Sequence, residues 1–225
     1  MDQLSEAALK LNAFQGASLT KTIAQIEKGM TGLGAEDVQM VLQSKNVDHG
    51  LLKAALDFKR VAGQINVVIH AIGIMLLLPK ILEPGEIVES MSIGAGNTGK
   101  KFDLETNKMV AEFKFIQWRG GPEAIRQNAF FKDLYLLVEH ETSKKKKVFL
   151  TGASYPMKFL QSKRSLLSIL SRHVGLTEEF KIKYGDKLKA VREYYELKKT
   201  EIEIVDVLDI IPNFKIEEIE EAALY

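Results

Sequence analysis

A chain of 225 residues that is 46% hydrophobic and 27% charged has the material for one core of ordinary size, which excludes disordered, collagen-like and disulfide-scaffold classes. The absence of cysteine removes disulfides, thiolate-bound zinc, iron–sulfur clusters and thiol nucleophiles, so any chemistry falls to carboxylates, lysine, histidine or hydroxyls. The net charge of +1 conceals an asymmetry: residues 141–199 carry +9 and residues 200–225 carry −7, a basic stretch and an acidic tail that either face a polyanion or neutralise one another.

The opening MDQLSEAALKLNAF lacks the basic and apolar regions of a signal peptide, so the expected location is cytoplasmic. Helical patterns cover residues 4–14, 19–30 and 35–44, separated by Gly16 and the TGLG turn, with Glu36 and Asp37 at a helix N-terminus. They define an N-terminal helical region, residues 1–60, ahead of a second domain over residues 61–225. A further helix begins at His49 and enters the longest apolar stretch, INVVIHAIGIMLLL at 65–78, which Pro79 is expected to end. That stretch is shorter than the roughly 20 residues of a membrane helix, so a buried core helix and no membrane partner are expected. His70 on it is either a core histidine bonded to a carbonyl or a supplement to a nearby site.

From Glu83 the period changes. EPGEIVESMSIGAG reads as a turn, a strand and a glycine-rich loop, and residues 101–104 and 109–118 read as an antiparallel hairpin turning near Asn107. Residues 120–123 start a helix over 124–139 with Ile125, Ala129, Leu134, Leu137 and Val138 inward. A strand at 146–151, a helix at 157–170, basic helices over 177–199 and an alternating segment at 201–210 follow. The final IEEIEEAALY reads as a short helix or loose tail. This order specifies an α/β fold with a mixed sheet. Neither a zinc site nor a Ser-His-Asp triad can be nominated from four scattered histidines, and GAGNTG matches neither phosphate-loop pattern because a strand follows it.

Strand alternation puts Glu112 and Lys114 on one face, and the turn at Asn107 sets Asp103 nearly opposite Glu112. Two carboxylates and an ammonium outline a Mg²⁺ site, with Mn²⁺ as an alternative ion, completed by water and substrate phosphate. The plain alternative is a surface hairpin with a Glu–Lys pair worth at most about 1 kcal/mol. Asp103, then Glu112-Phe113-Lys114, then a helix resemble the PD-(D/E)xK nuclease superfamily over roughly residues 86–170, although Phe102 stands where that motif usually has proline.

The resemblance implies a restriction-endonuclease-like αβββαβ core behind the N-terminal helical layer, and metal-dependent hydrolysis of nucleic-acid phosphodiesters, expected on DNA and in defence or repair. It implies Asp103 and Glu112 as metal ligands, Lys114 as the catalytic lysine, and a homodimer for two-strand cutting. Gln127 resembles the Q-x-x-x-Y element of RecB-type nucleases, with Phe131 in place of the tyrosine, and is either catalytic or an exposed helix residue. The superfamily often adds an acid, for which Glu89 is the choice here.

Arg119, Arg126, Lys132, Arg164 and Arg172 are the expected nucleic-acid contacts, the last two about 80° apart on one continuous helix. Trp118 either stacks near the site or packs at the strand end, and the lysine run 144–147 is either a solvated turn or part of a groove. Two alternatives stand beside the enzyme: a catalytically reduced module that binds nucleic acid or protein, and an effector whose N-terminal helices bind a regulatory partner through an apolar patch.

Overall fold

The computed structural model describes residues 3–94, 99–115, 118, 123–185 and 187–212. In chain order the elements are α1 (Gln3–Gln15), α2 (Leu19–Met30), α3 (Ala35–Ser44), α4 (His49–Ile81), β1 (Val88–Met91), β2 (Leu104–Thr106), β3 (Met109–Lys114), α5 (Ala124–Val138), β4 (Lys145–Leu150), α6 (Ser154–Leu160), α7 (Leu166–Leu170), α8 (Val174–Tyr184), α9 (Val191–Lys198), β5 (Glu203–Asp206) and α10 (Val207–Ile210). They fall into two compact units, residues 3–66 and residues 67–212.

The first unit holds α1 to α3 and the first half of α4. Ser18 caps α2, its hydroxyl accepting the Lys21 N–H at 3.4 Å. Little of the unit's apolar surface is buried: Ala7, Ile26 and Ala54 are covered, whereas Leu9, Ile23, Met40, Leu52 and Leu56 are exposed.

The second unit is an α/β sandwich around a five-stranded mixed sheet of order β1-β2-β3-β4-β5. Strands β1 to β3 form an antiparallel meander, and β4 and β5 add parallel to β3 in turn. The tight β2–β3 turn is closed by the Thr106 hydroxyl, which accepts the Lys108 N–H at 3.1 Å and the Met109 N–H at 2.8 Å, and Asn107 ties it to the segment before β1, its side-chain oxygen accepting the Ile87 N–H at 2.8 Å and its amide donating to the Gly85 carbonyl at 3.2 Å. Alternation then sorts the side chains. Val110, Val148 and Leu150 share one core with Phe131, Leu134, Leu160, Val191 and Tyr194, whereas Ala111, Phe113 and Phe149 share the other with Ile74 and Leu77 of α4.

Several expectations are corrected. Helix α4 runs through Pro79 to Ile81, because a proline in the last turn forfeits a single bond and the Leu82 N–H still donates to the Leu78 carbonyl at 3.1 Å. Nor is α4 buried all round: Ile74 and Leu77 are fully covered, but Val68, Ile69, Ile72, Met75 and Leu76 are 42–50% exposed. With mean hydropathy 2.0 over 18 residues, 18% of them buried, it has the length and composition of a membrane span, a measure that the mostly buried core helix of a soluble protein also meets.

The helix expected over 157–170 is two, α6 and α7. Between them the Arg164 carbonyl accepts the Val191 N–H and the Leu166 N–H donates to the Lys189 carbonyl, which diverts the backbone from helical pairing. Ser165 then caps α7 afresh. Likewise α8 and α9 are separate, and the alternating segment near 201–210 supplies the edge strand β5 before turning into α10. Ile125 is not an inner residue of α5; it is 73% exposed, and Phe130 and Tyr135 fill the face instead. The final ten residues and most of the GAGNTG loop lie outside the described residues.

Candidate active site

The meander brings Asp103, Glu112 and Lys114 to the C-terminal end of β3. Leu104 pairs with Ala111, so Asp103 and Glu112 occupy the next positions outward on neighbouring strands. Asp103 is held from two sides. Its Oδ2 accepts the Phe113 N–H at 2.9 Å and its Oδ1 lies 3.3 Å from His70 Nε2 on α4. Glu112 is 8% exposed, and Lys114 Nζ donates to its Oε2 at 3.2 Å. The same ammonium lies 2.8 Å from Oδ2 of Asp133 on α5. His70 therefore contacts a carboxylate and not a carbonyl, and Asp133 is the acid that joins the hairpin residues from a helix.

The electrostatics of the two hairpin acids diverge. Burial works against the Asp103 carboxylate, but the His70 hydrogen bond, the Lys114 charge and the Phe113 N–H outweigh it and hold Asp103 below the usual carboxylate range. Burial, with the charges of Asp103 and Asp133 against it, pushes Glu112 up to about 8 despite Lys114. Burial likewise opposes the Lys114 charge, yet Asp133, Glu112 and Asp103 together raise its pKa above the ordinary lysine range, so the ammonium is firmly protonated. A buried acid that resists ionisation beside two further acids marks a cluster short of positive charge.

Other expected residues are placed elsewhere. Glu89 is not the third acid: it pairs with Lys144 at 2.6 Å, beside Glu105 at 2.7 Å, at the end of the strands where Lys145 meets Met109. Gln127 does not reach the acids either, because its side-chain oxygen is taken by Arg164. Arg126 pairs with Glu123 at 2.9 Å, Lys132 lies 3.5 Å from Asp133, and Arg172 is exposed after α7. Since α6 and α7 are separate, Arg164 and Arg172 do not share a helix face. Arg119 lies outside the described residues. The lysine run is tied to the fold: Lys144 as above, Lys145 to Glu83 at 2.6 Å, Lys146 to the Val138 carbonyl and Lys147 to Glu203 at 2.9 Å. Trp118 is packed edge-on against Phe130 with ring centroids 5.6 Å apart.

Among the described residues, no group of three or more His, Asp or Glu is arranged to hold a metal ion. Asp103 and Glu112 flank the Leu104–Ala111 pair on neighbouring chain segments, and Mg²⁺ is commonly held by one or two carboxylates with water and phosphate oxygens completing the shell. No protein-family model, curated protein or solved structure matches this chain.

Proposed function

We propose that the chain is a metal-dependent nuclease with a restriction-endonuclease-like core, acting on phosphodiesters of DNA. The observation that carries this reading is the convergence of Asp103, Glu112 and Lys114 from two adjacent strands, with Glu112 buried among like charges. The succession α4, β1 to β3, α5, β4 supports the αβββαβ core, with α5 as the crossover between parallel strands.

In this reading Asp103 and Glu112 would hold Mg²⁺ or Mn²⁺, which supplies Lewis acidity at the phosphoryl oxygens and an activated water. The chain's own residues do the rest. His70 and the Phe113 N–H fix the orientation of Asp103 before substrate arrives. Lys114, kept protonated by Asp133, presents a positive charge to the phosphate where negative charge builds, so its role is electrostatic and not that of a base.

Incubation of plasmid, linear duplex, single-stranded DNA and RNA with Mg²⁺ or Mn²⁺, beside EDTA and a Glu112→Ala, Lys114→Ala double variant, tests this. Cutting that requires metal and is lost in the double variant is expected. Absence of cutting on all four substrates removes the enzyme reading. The exposed apolar residues of the first unit, Met40, Leu52 and Leu56 among them, favour a second role for its helices as the docking point of a regulatory protein.

A further inference from the structure

A cleft of about 370 Å³ opens between α5 and α6, on the face of the sheet toward which Lys114 and the acids Glu112 and Asp133 also turn. Trp118 and Phe159 form its apolar base, 7% and 5% exposed, and Tyr155, 41% exposed, stands at its rim with the Lys158 ammonium 5.2 Å from the ring centroid. Arg164, Gln127, Ser162 and Glu123, whose carboxylate is paired with Arg126, complete the wall. The guanidinium is fixed in place, one nitrogen donating to the Gln127 oxygen and the other to the Asn128 oxygen at 2.9 Å. Arginine only donates, so the Gln127 carbonyl must face it, and the amide hydrogens are what Gln127 offers the cleft.

Aromatic walls, amide donors and a cation in a space of this size suit a flat heterocycle carrying an anionic chain, and suit a bare phosphate poorly. Gln127 in the wall and Asp133 at Lys114 are six residues apart on α5, about 9 Å along the helix axis and about 120° around it, so the cleft and the acids occupy different parts of the same helix surface. We infer that the cleft between Trp118, Tyr155 and Arg164 receives one unstacked base of a single-stranded nucleic acid. The inference rests on the nucleic-acid reading of those acids and names the form of the substrate: a single-stranded or frayed segment.

Trp118 is the only tryptophan in the chain, so its fluorescence reports this cleft alone. The full-length protein in EDTA is titrated with an eight-nucleotide single strand and with the same backbone lacking all bases, reading Trp118 fluorescence and the anisotropy of a label on the oligonucleotide. The expected result is a saturable Trp118 change with the normal strand and none with the abasic one, which binds at least fivefold more weakly. Tyr155→Ala is expected to erase that difference by weakening the normal strand alone, with an unchanged melting temperature. Equal affinity for the two strands, or a silent Trp118 while anisotropy reports binding, overturns the inference. So does the absence of any binding. Metal-dependent cutting with a silent Trp118 defeats the cleft and leaves the nuclease; a Trp118 response without cutting defeats the nuclease and leaves the cleft.

Discussion

Lys114 Nζ lies 2.8 Å from Asp133 Oδ2 and 3.2 Å from Glu112 Oε2, so one ammonium ties the end of strand β3 to the middle of helix α5. Asp133→Asn keeps the size and an acceptor but removes the charge that anchors it. Metal-dependent cutting is expected to fall about tenfold, as for other residues that orient a site without touching the metal, with a lowered melting temperature because the Lys114 ammonium loses a charged partner. Wild-type rates in Asp133→Asn would remove it from the site.

Glu112→Gln exchanges a desolvated acid, crowded by Asp103 and Asp133, for a neutral isostere. In EDTA at neutral pH the variant is expected to melt several degrees higher than wild type while cutting nothing. Added Mg²⁺ is expected to raise the melting temperature of wild type and not of the variant. Differential scanning fluorimetry reads both, and a variant less stable than wild type in EDTA contradicts the crowded-acid picture.

Glu139 gathers three donors: Tyr184 OH at 2.6 Å, Tyr194 OH at 2.7 Å and the Lys183 ammonium. Burial opposes its charge, but these hydrogen bonds prevail and hold its pKa below the usual carboxylate value of 4.5. The folded state thus favours the carboxylate, so the stabilisation is complete above the unfolded-state pKa and is lost as pH falls through the lower folded-state value. Glu139→Gln should cost about 1–3 kcal/mol at pH 7 by urea unfolding, and the gap between variant and wild type should close in acid. A gap that persists unchanged at pH 3 refutes the assignment.

At Gly73 a Cβ would stand 2.6 Å from the Phe115 ring, which also lies 5.9 Å from the His70 ring in an edge-on contact. Gly73→Leu should therefore destabilise by about 1–3 kcal/mol through overpacking, more than the roughly 1 kcal/mol that relief of a helical glycine returns. Displacing Phe115 also disturbs His70 and so weakens metal-dependent cutting beyond the stability loss. A variant as stable as wild type indicates that the ring moves aside freely.

The hairpin was legible because its determinants are local: Thr106 and its two following N–H groups close the turn at Asn107, and the alternation of Glu112 and Lys114 assigns their face. Asp133 was not, since only the packing of α5 on the sheet shows which of its polar residues meets Lys114. Gln127 misled for the converse reason: its partner Arg164 arrives from a connection 37 residues away that no helical period announces. The apolar run of α4 predicts a buried core helix, yet the sheet covers one stripe, and composition does not say how much of a helix finds a neighbour.

The sheet is laid down in the order in which it is synthesised, each strand entering beside its predecessor. Asp103, Glu112, Lys114 and Asp133 have all left the ribosome by the time β4 is complete at Leu150, whereas its outer neighbour β5 comes more than fifty residues later. During that interval β4 is an open edge of the kind that recruits other chains. Of its first three residues, Lys145 and Lys146 already have partners in Glu83 and the Val138 carbonyl, so Lys147 is the charge that guards the growing edge against premature pairing until Glu203 arrives to neutralise it.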